Sequence, residues 1–196
     1  MKFSDIHNYK EEINTLHNIK KVADSHSIDI CFFGGFAANI YGSERELTDI
    51  DILANAESFE WVKDNFSYTD ESDKSIHIGR IEICKSPIVF EVAGKKYYWS
   101  FDTLAMQKMS TTLIEKEEFK VLSREDLITM KSILGRGEAE GKFDLPDIMN
   151  IIQHIGKNNI DFEYVLLRSN KIDSIERVSQ TLSGLGFLLE SMSDIK

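Results

Sequence analysis

The stretch Phe32-Phe33-Gly34-Gly35-Phe36-Ala37-Ala38-Asn39-Ile40-Tyr41-Gly42, running on through Ser43-Glu44-Arg45-Glu46-Leu47-Thr48 to Asp49-Ile50-Asp51-Ile52-Leu53, decides how the chain is read. Ser27 to Phe33 is a strand-like run that the two glycines stop. Phe36 to Tyr41 suits a short helix, Gly42 to Thr48 is a polar connection, and Asp49 to Ala54 alternates acidic and aliphatic residues as a strand does. At a helix start the amides of Gly34, Gly35 and Phe36 would point outward together, and glycines without side chains let an anion reach the backbone. Asp49 and Asp51 lie two apart, so both project from one face of the strand while Ile50 and Ile52 turn to the core. Two adjacent carboxylates raise each other's pKa unless a cation lies between them, and Mg²⁺ favours one or two carboxylates together with substrate phosphates. A Gly-Gly turn and an Asp-Ile-Asp strand are each common alone. Joined by the 13 residues between Gly35 and Asp49, they make one compact unit suited to phosphate and metal.

Outward from this stretch, Ile6, Tyr9, Ile13, Leu16, Ile19 and Val22 recur three or four apart and predict a helix from about Ser4 to Ser25, capped by Ser4 or Asp5. Glu57 to Phe66 predicts a second helix, and Asn65 to Ser75 a loop. Ile76 to Cys84 and Ile88 to Ala93 are two β-like runs around Lys85-Ser86-Pro87, readable as a hairpin or as neighbouring strands. Gly94 to Met109 is mixed and carries no clear element, and Phe119 to Leu122 is a last short strand. Ser123-Arg124-Glu125-Asp126 resembles a capping box opening a helix through Leu134, and a charged loop follows from Gly135 to Lys142. Further helices are predicted from Asp144, with Ile148, Ile151, Ile152 and Ile155 on one face, and over Asp161 to Ser169. A longer C-terminal helix is marked by Ile172, Ile175, Val178, Leu182, Leu185 and Leu189. Strands precede residue 122 and helices follow it. The expected fold class is therefore α+β: a small mixed β-sheet core over residues 1–122, flanked by helices, with a helical C-terminal extension over 123–196 packed on it.

The 196 residues, 42% hydrophobic, are enough for a substantial core. No apolar run approaches the roughly 20 residues that span a membrane, and the first residues lead into charged sequence rather than a signal peptide, so a cytoplasmic protein is expected. Cys31 and Cys84 lie in apolar runs without metal-site spacing and read as reduced core residues. A formal net charge of −10 disfavours broad binding to nucleic acid, though a local basic groove around Lys131, Arg136 and Lys142 is compatible with it.

The segment from Gly34 to Asp51 resembles the signature of the nucleotidyltransferase superfamily that includes DNA polymerase beta, in which a Gly-Gly or Gly-Ser precedes an Asp-x-Asp strand. Gly-Gly-x-Ala, Tyr-Gly, Arg and Thr-Asp-Ile-Asp together look like its small prokaryotic branch, similar to lincosamide nucleotidyltransferases and AbiEii-type toxins. The resemblance covers roughly residues 28 to 155. It implies that Asp49 and Asp51 hold Mg²⁺ or Mn²⁺, with a third carboxylate as metal ligand or base. Glu91, between aliphatic neighbours, is the favoured third carboxylate, and Glu82 is its rival; the bland alternative for either is a solvated edge-strand residue or an ion-pair partner. The resemblance also places Arg45 near the phosphates, where the bland alternative is a surface ion pair with Glu44 or Glu46. Lys131 matches the lysine of the related toxins' helix, and Lys142-Phe143-Asp144-Leu145-Pro146-Asp147 looks like their Lys-Asp-x-x-Asp element with one residue inserted. Asp144 and Asp147 equally fit a helix cap with an acidic third residue, worth about 1 kcal/mol.

The implied reaction is attack of an acceptor hydroxyl on the α-phosphorus of an NTP bound at Gly34, Gly35, Arg45, Lys131 and Asp144, with loss of pyrophosphate. The acceptor, whether small molecule, protein or RNA, is not written in the sequence. Two other classes fit the same residues: a nucleotide-binding or toxin-antitoxin module with little turnover, and an interaction protein using the Ile172 to Leu189 stripe as a homodimer seam.

Overall fold

In the computed structural model, which describes residues 2–187, a 3-10 turn over Phe3–Asn8 precedes helix α1 (Lys10–His26). The single helix expected over this stretch is thus broken at Tyr9, whose φ of −110° and ψ of 63° are not helical. Ile13, Leu16, Ile19 and Ala23 form the buried stripe of α1. Next come β1 (Ile30–Phe32), α2 (Gly34–Ile40), β2 (Ile50–Ala54) and α3 (Ala56–Asn65), the last capped by Asn55, which accepts from the Ser58 amide.

The following segment departs from expectation. The run Ile76 to Cys84 is itself a hairpin, β4 (Ser75–Ile78) and β5 (Ile81–Lys85), with a two-residue strand β3 (Asp70–Glu71) beside it. Ile88 begins a second hairpin, β6 (Ile88–Val92) and β7 (Lys95–Trp99), which pairs only with itself. The stretch that carried no clear element contains β7 and α4 (Thr103–Lys108), and directly after it β8 (Ser110–Ile114) pairs with β9 (Glu117–Val121). The alternation was present in Lys95-Lys96-Tyr97-Tyr98-Trp99, where Tyr97 and Trp99 are buried and Lys96 and Tyr98 exposed. After β9 come α5 (Arg124–Leu134), α6 (Asp144–Ile155), α7 (Phe162–Lys171) and α8 (Ile175–Gly184). Ser123 caps α5 as expected, its hydroxyl accepting from the Asp126 amide.

The main sheet runs β3-β4-β5-β2-β1-β9-β8 and is mixed, because β2 pairs parallel with β5 and β1 parallel with β9. The fold is α+β. One buried cluster runs from Leu16 and Phe32 through Ile52, Ile83 and Leu127 to Ile148, Val165 and Leu182, so the C-terminal helices share the core of the sheet. Within it Arg168 of α7 is buried, stacked 4.8 Å over Trp99, with Nε donating to Asp126 at 2.8 Å and Nη1 to Asp102 at 2.9 Å. Asp102, bonded by the Lys171 ammonium and the Ala105 amide beside Arg168, is held down at about 2 despite its partial burial. Val178 and Leu182 of α8 are buried within the same chain, so these members of the expected seam are already covered; Leu189 lies outside the described residues. No helix of the described residues is long and apolar enough to cross a membrane.

Candidate active site

Where β1 hands the chain to α2, Gly34 takes φ +60°, a conformation that costs any residue with a Cβ. Space is tighter than conformation here. A Cβ on Gly34 would lie 2.2 Å from Asp51 Oδ2, and one on Gly35 would lie 2.2 Å from Arg45 Nη2. Gly34 is therefore required by the Asp51 side chain pressed against it, whereas at Gly35 the nearest atom is the movable end of Arg45. The Gly35 amide donates to Asp51 Oδ2 at 2.8 Å, so the outward cradle of amides expected here is corrected in one respect: this N–H serves a carboxylate.

Ile50 and Ile52 are buried as the alternation requires, and Asp51 emerges on the opposite face. Asp51 is the register partner of Glu82 on the parallel strand β5. Asp49, Asp51 and Glu82 offer carboxylate oxygens that all lie within 4.8 Å of one another. Among the described residues no lysine or arginine forms an ion pair with any of the three. Burial first, and then the neighbouring Asp49 charge, push Asp51 up to about 6 against the pull of the Gly35 amide. Three hard oxygen donors that repel one another and have no lysine or arginine in ion-pair contact among the described residues fit a divalent cation such as Mg²⁺ or Mn²⁺.

Glu91 does not join them. It lies on β6, opposite Lys96, with its carboxylate 3.8 Å from the Lys96 ammonium and the side chain largely exposed. Successive strand residues face opposite sides, and it is Phe90 that turns inward to line the cavity beside the Asp pair. The geometric third carboxylate is the rival, Glu82.

The opposite wall is built by α5 and α6. Lys131, buried on α5, reaches Asp147 at 2.7 Å and Asp144 at 3.6 Å. Arg45 binds Asp147 through Nε at 3.2 Å and lies 5.0 Å over the Phe143 ring, so it is anchored to the buried acid of α6. The Ser43 hydroxyl also donates to Asp147, and Arg136 binds Asp144 at 2.6 Å. Neither acid acts as the cap of α6: the cap position is Phe143, and no side chain bonds the helix amides there. Asp144 and Asp147 instead hold cations in place. Ser43 went unnoticed in the sequence, where a serine in a polar turn carries no distinguishing signal.

Gly34, Gly35, Arg45, Asp49, Asp51, Glu82, Lys131 and Asp144 thus line one cavity of about 590 Å³, with Arg136, Lys142 and Phe143 completing its wall. Of the residues singled out from the sequence for this site, Glu91 lies outside the cavity, and Phe36 and Asp147 are buried behind its lining.

Among solved structures, the chain is similar to the crystal structure of ANT(2")-Ia in complex with adenylyl-2"-tobramycin, at 16% identity and a TM-score of 0.53, over 84% of this chain and 98% of that one. It is similar also to the solution structure of ANT(2")-Ia, at 14% identity and a TM-score of 0.54, over 83% and 94% of the two chains. A looser likeness, at 16% identity and a TM-score of 0.42 over 69% of this chain and 93% of that one, is to the lincosamide antibiotic adenylyltransferase LnuA with lincomycin bound. No protein-family model and no curated protein matches the sequence. The fold is the one seen in ANT(2")-Ia.

Proposed function

We propose that this protein moves an NMP from an NTP to an acceptor hydroxyl, with Mg²⁺ or Mn²⁺ held by Asp49, Asp51 and Glu82. The observation that carries the reading is three converging carboxylates with no lysine or arginine paired to them among the described residues, in a cavity whose other wall presents Arg45, Lys131, Arg136 and Lys142. When bound, the metal supplies charge neutralisation at the transferring phosphoryl group and acidifies the attacking hydroxyl.

The chain's own groups supply the rest. Gly34 and Gly35 leave room for the triphosphate against the backbone. Arg45 and Lys131 stabilise the charge that builds on the departing pyrophosphate, and Asp144 and Asp147 fix where those cations stand. Glu82 accepts the proton of the acceptor hydroxyl as its oxygen bonds to the α-phosphorus and the bond to the β-phosphate oxygen breaks. In-line displacement puts attacking and leaving oxygens on opposite sides. The cations lie on the α5–α6 side of Asp51, so the acceptor approaches over β5. In this division of labour residues 1–122 provide the carboxylates and 123–196 provide Lys131 and Asp144.

A small hydroxyl-bearing molecule is the acceptor we favour. ANT(2")-Ia was solved with an adenylylated tobramycin, and the net charge of −10 works against an RNA acceptor. The site is tested by calorimetry of NTP binding with and without Mg²⁺, on the wild type and on Asp49→Asn with Asp51→Asn. Metal-dependent binding only in the wild type is expected, and equal binding in both would sink the assignment. Transfer of label from α-³²P NTPs into a panel of small-molecule acceptors tests the reaction.

A further inference from the structure

Beyond Glu82 the row of side chains across the sheet continues to His77 and then Asp70. Glu82 is the register partner of Asp51 on one side and of His77, on β4, on the other. Directly opposite residues share a face, so Asp51, Glu82 and His77 stand in line across three strands, perpendicular to the chain direction. His77 Nε2 lies 3.7 Å from Glu82 Oε1, and both side chains are only partly exposed. Beyond His77 the row ends in Asp70, its register partner on β3, which is exposed.

Glutamate has one more rotatable bond than aspartate, and a third ligand on a longer stem is useful only if something limits its positions. Asp51 is held by the Gly35 amide. Glu82 has no lysine or arginine within ion-pair distance among the described residues; the Cys84 thiol bonds to its side chain from the same strand, and the His77 imidazole approaches Oε1 from the adjoining one. Ligating carboxylates are commonly anchored through the oxygen that does not face the metal.

Resting on the metal reading above, we propose that His77 is the positioning residue for Glu82: it holds the outer oxygen from β4 so that the inner one faces Asp49 and Asp51. At 3.7 Å the two are in contact but not hydrogen bonded, and a small turn of the Glu82 carboxylate toward β4 closes the bond. The role requires only a donor at Nε2, so an amide of similar reach serves in its place.

The test is a titration with Mn²⁺ alone, followed by electron paramagnetic resonance at pH 8, on the wild type, His77→Ala, His77→Gln, Glu82→Gln and the His77→Ala, Glu82→Gln double variant. His77→Ala should weaken Mn²⁺ binding about tenfold. His77→Gln should recover most of that loss, and the thermal midpoints of both should match the wild type. In the Glu82→Gln background His77→Ala should cost nothing further, because its effect passes through Glu82. Unchanged binding by His77→Ala, or an equal loss in the Glu82→Gln background, overturns the inference and leaves the metal site standing. A wild type that binds no Mn²⁺ overturns the metal reading and this inference with it.

Discussion

Two hairpins follow one another along the chain, β4–β5 and β6–β7, and each carries a glutamate between aliphatic residues on one of its strands. Each turns on a glycine with positive φ, Gly79 at +61° and Gly94 at +79°. Their fates differ because of what lies alongside. β5 runs parallel to β2 and sets Glu82 beside Asp51, whereas β6 has only β7 for a neighbour and sets Glu91 beside Lys96. On the reading proposed above, a carboxylate among carboxylates is a metal ligand. The same group beside an ammonium, in water, is a surface ion pair.

That contrast breaks most visibly in catalysis. Glu82→Gln should lower NMP transfer about 10³-fold, equivalent to several kcal/mol of lost metal and base assistance, while Glu91→Gln stays within about twofold. Label-transfer rates of the two variants measure this, and the reverse ranking would return the third position to Glu91.

The next effect is on stability without metal. Asp51, raised to about 6 in the fold from 3.8, binds more protons folded than unfolded between those values, so its contribution falls as pH rises through that window. In EDTA, Asp51→Asn should therefore be more stable than the wild type by about 1–3 kcal/mol at pH 7.5, and the gap should close toward pH 4. Urea unfolding across this range reads it, and a gap independent of pH would place the strain elsewhere.

Smaller still is the cost of the turns. A Cβ at Gly79 or Gly94 meets nothing within 4 Å, so Gly79→Ala and Gly94→Ala should each cost about 1 kcal/mol, from backbone conformation alone. Unequal losses would mean the hairpins differ in more than their neighbours. Smallest is the pair on β6: Glu91→Gln should shift stability by no more than about 0.5 kcal/mol in the same urea titration.

The Asp pair was legible because period-two alternation with Ile50 and Ile52 fixes the face of each carboxylate, and Ser123 was legible because a cap acts within four residues. Glu82 and Glu91 look alike for the complementary reason. Alternation says which side of a strand a residue occupies and is silent on which strand comes next. Arg168 escaped notice because arginine is ordinarily exposed, and its burial depends on Asp102 and Asp126, far off in sequence. The break at Tyr9 was hidden by an apolar period that continues across it.

Asp147 gathers Ser43, Arg45 and Lys131 onto one fully buried carboxylate, joining residues more than a hundred positions apart. During synthesis this sets an order. A chain that has emerged from the ribosome only as far as Val121 carries Asp49, Asp51 and Glu82 but has neither Lys131 nor the acid that steadies Arg45. The carboxylate cluster is made first and the buried acid that steadies the facing cations last, so on the reading proposed above the two walls of the site meet only in a chain that has passed Asp147.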